Sequence, residues 1–171
     1  RQLLITGASG GVGSAAIQLA KTRGASVIAV AGDKKQQSVR DAGADQALVR
    51  GASLEAALGE NSVDVVIDLV GGEDWPELLT ILTPFGRYAV SGAIAGPIVE
   101  LDLRTLYLKD QRFLGCTVLD DGVFSRLVGL IEEGDIKPLL ARSFALESLS
   151  EAQAFFLDKQ FTGKLVIDMA L

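Results

Sequence analysis

The sequence predicts an α/β protein: a doubly wound parallel sheet of six strands, followed by a short strand-helix-strand segment. Two observations carry this. Near-continuous apolar and β-branched runs alternate with helical stretches over residues 1–137, the pattern of a parallel sheet covered by helices on both faces. The first of these runs, Leu3-Leu4-Ile5, breaks at once into a glycine-rich turn that opens a helix. In such folds the ligand sits at the carboxyl ends of the strands.

The elements follow in order. Leu3–Thr6 is the first strand, and the helix after the turn runs to about Thr22. Ser26–Val30 is the second strand. A polar helix over Lys34–Ala42 stops at Gly43, and Ala47–Val49 forms a short third strand. Leu54–Leu58 is a short helix. Val63–Val70 is a buried fourth strand closed by Gly71-Gly72. Trp75–Leu82 is helical, and Pro84-Phe85-Gly86 marks the turn into a fifth strand, Arg87–Ser91. After a Gly/Pro-rich loop come a helix, Leu103–Lys109, and a sixth strand, Arg112–Thr117. The tail differs in character. An amphipathic helix, Phe124–Glu133, ends at Gly134, and Pro138 interrupts the chain. A strand near Ser143–Leu146, a helix Ser150–Lys159 and a strand Lys164–Ile167 complete it. Ser148-Leu149-Ser150-Glu151 offers capping chemistry to that last helix, and Phe155 and Phe156 read as packing residues.

The turn Gly7-Ala8-Ser9-Gly10-Gly11-Val12-Gly13 points to a dinucleotide. A strand, a glycine turn and a helix N-terminus in succession bring several backbone N–H groups and the positive end of the helix dipole to one point, with no side chains in the way. A pyrophosphate can dock there. The spacing is Ala8-x-Gly10-x-x-Gly13, with alanine where the fingerprint usually carries its first glycine. Gly10 lets the backbone approach the phosphates and Gly13 lets helix and strand pack closely.

Composition removes other classes. At 171 residues, 49 % apolar and 22 % charged, the chain can bury a sizeable core and is not a disordered one. A net charge of -6 leaves no basic face for a general nucleic-acid binder. The chain has no histidine and one cysteine, Cys116. Ser-His-Asp and Cys-His catalysis and Cys/His metal clusters are therefore excluded within it. No apolar run is long enough to span a bilayer. A reducing, cytoplasmic setting is the default, with a small molecule as the partner. Arg1 and Gln2 lead straight into the first strand, so the chain reads as a segment of a longer protein.

The run Thr6–Lys21 closely resembles the cofactor domain of medium-chain dehydrogenases/reductases, and within them the zinc-independent, quinone oxidoreductase-like branch. Further matches stand in the family's order: Val27–Gly32, Ala42–Asp45, Asp64–Gly72, Gly86-Arg87-Tyr88 and Phe161–Ile167. The resemblance implies a Rossmann cofactor-binding domain over residues 1–137. It also implies that residues 138–171 are a segment returning to a GroES-like catalytic domain that precedes this chain. That domain would supply most of the substrate pocket and any catalytic zinc ligands. The implied activity is hydride transfer between a nicotinamide and a quinone, enone or other activated carbonyl compound. The alternatives are a zinc-dependent alcohol dehydrogenase with its ligands outside this chain, and a non-catalytic, redox-sensing NADP-binding module. The family also leads us to expect a homodimer through the sheet edge. Short-chain reductases share part of the glycine pattern, but their Tyr-x-x-x-Lys pair is absent: Tyr88 precedes Gly92 and Tyr107 precedes Gln111 at that spacing.

Cofactor choice turns on the end of the second strand. NAD recognition wants a carboxylate there to bond the ribose hydroxyls, whereas NADP places a phosphate there. That position is Ala31, with Asp33, Lys34 and Lys35 following. A small residue and two nearby cations suit the 2′-phosphate, so NADP is expected over NAD. Where the family often carries a lysine, this chain has Gln36, and the alternative is that both lysines are merely a solvated helix start. By the resemblance, Ala8, Ser9, Gly10, Gly11, Val12 and Gly13 line the pyrophosphate. Val70 and Gly71, Ser91 and Gly92, and Gly115 and Cys116 would line the nicotinamide and its ribose. Asp68 stands at the end of a buried strand, facing the cofactor cleft. Its structural alternative, accepting N–H bonds from the turn that follows, is slightly preferred. Cys116 reads as a small core residue, since no histidine or cation pairs with it. Tyr88 reads as sheet packing, and no catalytic residue or metal ligand is assigned within the chain.

Overall fold

The computed structural model describes residues 1–170. The expected final segment is therefore seen except for residue 171, which lies outside the described residues. Six strands form one parallel sheet in the order β3-β2-β1-β4-β5-β6. They are β1 (Gln2–Ile5), β2 (Ser26–Ala31), β3 (Gln46–Val49), β4 (Val63–Asp68), β5 (Leu82–Val90) and β6 (Arg112–Gly115). The chain reverses direction across the sheet between β1 and β4. The connections leaving the carboxyl ends of those two strands run to opposite faces of the sheet there and open a crevice.

Alternation along the strands divides the core into two layers. Leu4, Ile28 and Val66 face one side and pack with Trp75, Leu78 and Ile81. These last three belong to α4 (Trp75–Ile81), which lies beside the short α3 (Leu54–Leu58). Ile5, Val27 and Ala29 face the other side and meet Ile17, Ala20 and Val39, from α1 (Gly11–Thr22) and α2 (Gln36–Asp41). Burial of each large aliphatic side chain contributes about 1.5–3 kcal/mol. These layers fix the loops at the strand ends.

Four details differ from expectation. The polar second helix splits, with Asp33–Lys35 forming a tighter turn before α2. Its Gln36 amide donates to Ala31 O, Gly32 O and Leu48 O, pinning the end of β2 to β3. β5 begins at Leu82, and residues 83–86 bulge out of it, as the register passes from Val63↔Leu82 to Val65↔Arg87. Phe85 takes φ 61° at this bulge. β4 stops at Asp68 because the side chain of Asp68 captures the backbone beyond it. Ser148 precedes the last helix, but its side chain makes no capping bond; a short turn over Leu146–Ser148 feeds that helix instead.

Beyond β6, α5 (Leu103–Leu108) having preceded it, come α6 (Val123–Glu132) and the tail. β7 (Leu140–Ala145) and β8 (Lys164–Asp168) pair in parallel as a separate two-stranded sheet, joined by α7 (Leu149–Asp158). Phe144, Phe155 and Phe161 stack between them. This small unit reaches back to the first turn of the protein: Gly163 N donates to Ser9 O over 3.1 Å, and Gly10 and Gly163 form an isolated β-bridge.

Candidate cofactor site

A cleft of about 790 Å³ opens over the glycine turn at the switch point between β1 and β4. Its floor is Gly7, Ser9, Gly10, Gly11, Val12 and Gly13. The two turn positions that depend most on glycine differ in what they touch. Gly7 has φ +60°, a left-handed conformation that costs an L-residue energy. Gly13 has ordinary geometry, but a Cβ there would lie 2.4 Å from Gly7 O and 2.6 Å from Ala8 Cα. Gly13 is therefore the contact that lets α1 sit against the end of β1. Ala8 belongs to the framework of the turn, since it is fully buried and its N–H donates to Val30 O.

The first turn of α1 leaves the N–H groups of Gly11, Val12 and Gly13 without an acceptor among the described residues, as helix starts do. Gly10, the cap, carries no side chain to take one. The turn is thus a set of free donors at the positive end of a 12-residue helix, facing an open cleft. An anion completes such an arrangement.

The far wall is Leu69, Val70 and Gly71 with Glu73 and Asp74. It is held from behind by Asp68, which takes the structural role slightly preferred from the sequence, accepting N–H bonds from the turn that follows rather than facing the cleft. Asp68 has no exposed surface. Oδ1 accepts from Thr6 Oγ1 (2.6 Å), Val70 N (2.9 Å) and Gly71 N (3.0 Å), and Oδ2 accepts from Tyr88 Oη (2.6 Å). Thr6 Oγ1 accepts in turn from Leu69 N. One side chain therefore ties the end of β1, the turn after β4 and the middle of β5 together. Burial, reinforced by the hydrogen bond to Asp68 and its charge, pushes the Tyr88 phenol well above its ordinary pKa. The ring itself packs edge-on to Trp75 and against Phe113.

Three cations line the same cleft: Lys35, Arg50 and Lys159. Burial lowers the pKa of Lys35, and the charges of Arg50 and Lys159 lower it further. Lys35 Nζ donates to Phe161 O over 2.6 Å, and Lys159 Nζ lies 3.6 Å from the centre of the Phe156 ring. None of the three takes part in the ion pairs found among the described residues. Lys34 and Asp33 are exposed and are not among the residues that line the cleft. Of the two lysines expected at the phosphate, the structure brings only Lys35 to the cleft, and it adds two cations that the sequence reading missed.

The remaining expected positions divide. Gly71 and Gly115 line a smaller adjoining cleft of about 300 Å³, together with Tyr88 and Phe113. Gly92 packs against the backbone of Leu69, where a Cβ would lie 2.6 Å from Leu69 O. Ser91 N donates to Asp68 O, so Ser91 and Gly92 shape the wall from outside it. Cys116 is exposed rather than a core residue, because β6 is an edge strand that ends at Gly115 and leaves the next residues uncovered.

This geometry is accompanied by a family match. Residues 11–133 match the family model described as zinc-binding dehydrogenase. The chain belongs to the medium-chain dehydrogenase/reductase superfamily. An acryloyl-coenzyme A reductase of Sulfurisphaera tokodaii is 34 % identical over 166 residues, covering 96 % of this chain and 50 % of the relative. A chloroplastic quinone-oxidoreductase, QR1, of Triphysaria versicolor is 33 % identical over 175 residues, covering 98 % and 52 %. A crystal structure from Sinorhizobium meliloti 1021, of a protein assigned as an alcohol dehydrogenase, superposes with a TM-score of 0.90. It is 50 % identical and covers 98 % of this chain and 48 % of that one. The chain spans about half the length of the curated relatives it matches. The relatives it matches are named as reductases and dehydrogenases.

A catalytic zinc takes three protein ligands from His, Cys and carboxylates. This chain has no histidine, and among the described residues no group of three or more such side chains could hold a metal ion. The donor set of the described residues does not fit zinc. No helix among the described residues is long and apolar enough to cross a membrane.

Proposed function

We propose that this chain is the cofactor-binding portion of an NADP(H)-dependent, zinc-independent reductase acting on quinones, enones or related activated carbonyl compounds, unsaturated acyl thioesters included. The single observation that carries the cofactor choice is the cluster of Lys35, Arg50 and Lys159 without carboxylate partners beside the glycine turn. A 2′-phosphate gives such a cluster its counter-charge. The end of β2 is the buried alanine Ala31, which offers no carboxylate to the ribose hydroxyls of NAD. The names of the relatives support the substrate class, one reducing a quinone and one an acryloyl thioester.

When bound, the nicotinamide supplies a hydride equivalent to the substrate. The chain's own residues bind and orient. The free N–H groups of Gly11, Val12 and Gly13 hold the pyrophosphate by backbone donation. Lys35, Arg50 and Lys159 hold the adenosine ribose phosphate. The wall of Val70 and Gly71, locked by Asp68, backs the nicotinamide half and keeps water from one of its faces. Tyr88 is no acid–base catalyst, since its raised pKa and buried bond to Asp68 keep its proton in place. We place residues 138–171 with a catalytic domain outside this chain, and a homodimer forms through the free edge of β6, whose Leu114 is exposed. The lone cysteine suits a cytoplasmic setting.

The test is turnover by the full-length protein with NADPH and with NADH, against a quinone, an enone and an acryloyl thioester. NADPH oxidation with any of these supports the proposal. Alcohol oxidation abolished by a chelator supports the second reading, a zinc-dependent alcohol dehydrogenase with its ligands elsewhere, which the Sinorhizobium relative favours. Tight NADPH binding without turnover of any substrate points instead to a redox-sensing module.

A further inference from the structure

A second charged cleft, of about 350 Å³, opens near the amino ends of β1, β4 and β6, the end of the sheet opposite the glycine turn. Arg1, Arg87 and Arg112 line it, with Asp64 and the bulge residues Pro84 and Phe85. Arg87 and Arg112 stand side by side, as register partners on the neighbouring strands β5 and β6. Each immediately precedes an aromatic residue, Tyr88 or Phe113, that packs in the core layer of α4. Alternation therefore sends both guanidinium groups to the opposite face together. Neighbouring strands lie about 4.8 Å apart, and like charges side by side on one face are unfavourable. The chain has 22 acidic residues against 16 basic ones, yet none neutralises this pair. Asp64 accepts from Gln2 N over 2.8 Å and forms no ion pair with the arginines. Elsewhere Arg23, Arg104 and Arg142 each donate to an oxygen; among the described residues Arg87 and Arg112 have no such partner. Arg87 is also half-buried, so part of its five-donor fork is shielded from water with its bonding capacity unfilled.

The aromatic ring beside them is presented by a strained backbone. Phe85 takes φ 61°, a left-handed conformation rare for a bulky residue, and 68 % of its surface is exposed. Its N–H donates to Lys109 O over 2.7 Å, which ties the bulge to the turn before β6. Strain that leaves a large apolar ring in water gains the fold no burial, and such outliers cluster at ligand clamps and switch regions. Two forked donors side by side match the oxygens of a carboxylate or phosphate. The ring of Phe85 and Pro84 offer an apolar surface to whatever carries that anion. We propose that this cleft binds a small aromatic oxyanion, a flat ring bearing a phosphate or carboxylate. Arg87 and Arg112 hold the anionic head, and Phe85 packs against the ring. The cleft volume suits a ligand of that size. The site lies at the far end of the strands from the cofactor cleft and does not depend on the nicotinamide reading.

The experiment is a calorimetric titration of the full-length protein, in the presence of NADPH, with phenyl phosphate, benzoate and inorganic phosphate. Wild type, Arg112→Gln and Phe85→Gly are compared. Both positions are exposed, and glycine takes the φ of residue 85 without strain, so both variants fold. At least one ring-bearing probe is expected to bind more tightly than inorganic phosphate, and the better of the two identifies the head group. Arg112→Gln weakens that probe about tenfold, as loss of one charge-assisted contact does. Phe85→Gly weakens it about fivefold, as loss of an aromatic contact does, and leaves inorganic phosphate unchanged. Dependence on Arg112 assigns the binding to this cleft whether or not NADPH fills the other one. Three results overturn the proposal: no binding of either ring-bearing probe at millimolar concentration, inorganic phosphate binding as tightly as the better of them, or unchanged affinity in Arg112→Gln.

Discussion

Behind one wall of the cleft, the carboxylate of Asp68 has no exposed surface and accepts hydrogen bonds from Thr6, Val70, Gly71 and Tyr88. Lining the same cleft, the cations Lys35, Arg50 and Lys159 form no ion pair with a carboxylate among the described residues, although Lys35 donates to the Phe161 carbonyl and Lys159 lies over the Phe156 ring. Both regions border the same glycine turn, and both are charged, yet they serve opposite ends. A charge whose bonding capacity is filled from within belongs to the architecture, because moving it leaves several buried groups unpaired at once. A charge left without an internal partner is free for a ligand. The contrast separates the residues that build the site from those that use it, and it places Asp68 among the builders, the alternative slightly preferred from the sequence.

The largest effect expected from breaking this contrast is at Asp68. Asp68→Ala orphans the Thr6 and Tyr88 hydroxyls and the Val70 and Gly71 N–H groups, and should lower stability by about 3–4 kcal/mol, read by urea denaturation. Gly13→Ala comes next. Its methyl group would press on the backbone of Gly7 and Ala8, and a loss of about 2–3 kcal/mol is expected, as for other overpacked sites. Gly11→Ala, two residues earlier, should cost far less in the same measurement, because the atoms nearest a Cβ there belong to the flexible Lys164 side chain rather than to backbone. Tyr88→Phe removes one bond to Asp68 and keeps the aromatic packing, so a loss of about 1–2 kcal/mol is expected. Lys34→Ala is the smallest. Lys34 is exposed and outside the cleft lining, so it should leave NADPH affinity in a calorimetric titration unchanged.

The framework of the fold was legible because strand periodicity and glycine punctuation are local signals. Leu3-Leu4-Ile5 followed by Gly7, Gly10 and Gly13 determines where a strand ends and a helix begins, whatever the rest of the chain does. The site was legible only in part. Arg50 follows the short strand β3, and Lys159 sits at the end of α7 with φ 56°. Nothing in their neighbourhoods along the chain marks them as partners of Lys35. They meet because β3 lies beside β2 and because Gly163 returns the tail to Ser9. Lys34 and Lys35 look equivalent in the sequence, but the tight turn over Asp33–Lys35 sends one to solvent and the other to the Phe161 carbonyl. Cys116 looked like a core residue because no histidine or cation in the sequence pairs with it. Being on an edge strand, which pairing alone decides, exposes it. For Asp68 the sequence supplied the donors of the following turn, Val70 and Gly71, and could not supply Thr6 or Tyr88, 62 and 20 residues away.

The central claim is that the unpaired cations of the cleft recognise a 2′-phosphate. Its most direct measurement is the ratio of NADPH to NADH affinity in the full-length protein, in the wild type and with Lys35, Arg50 and Lys159 all changed to alanine. A wild-type preference for NADPH of about tenfold or more, falling to parity in the triple variant while NADH affinity holds, is the predicted result. Equal affinity for the two cofactors in the wild type, or equal loss of both in the variant, would contradict it.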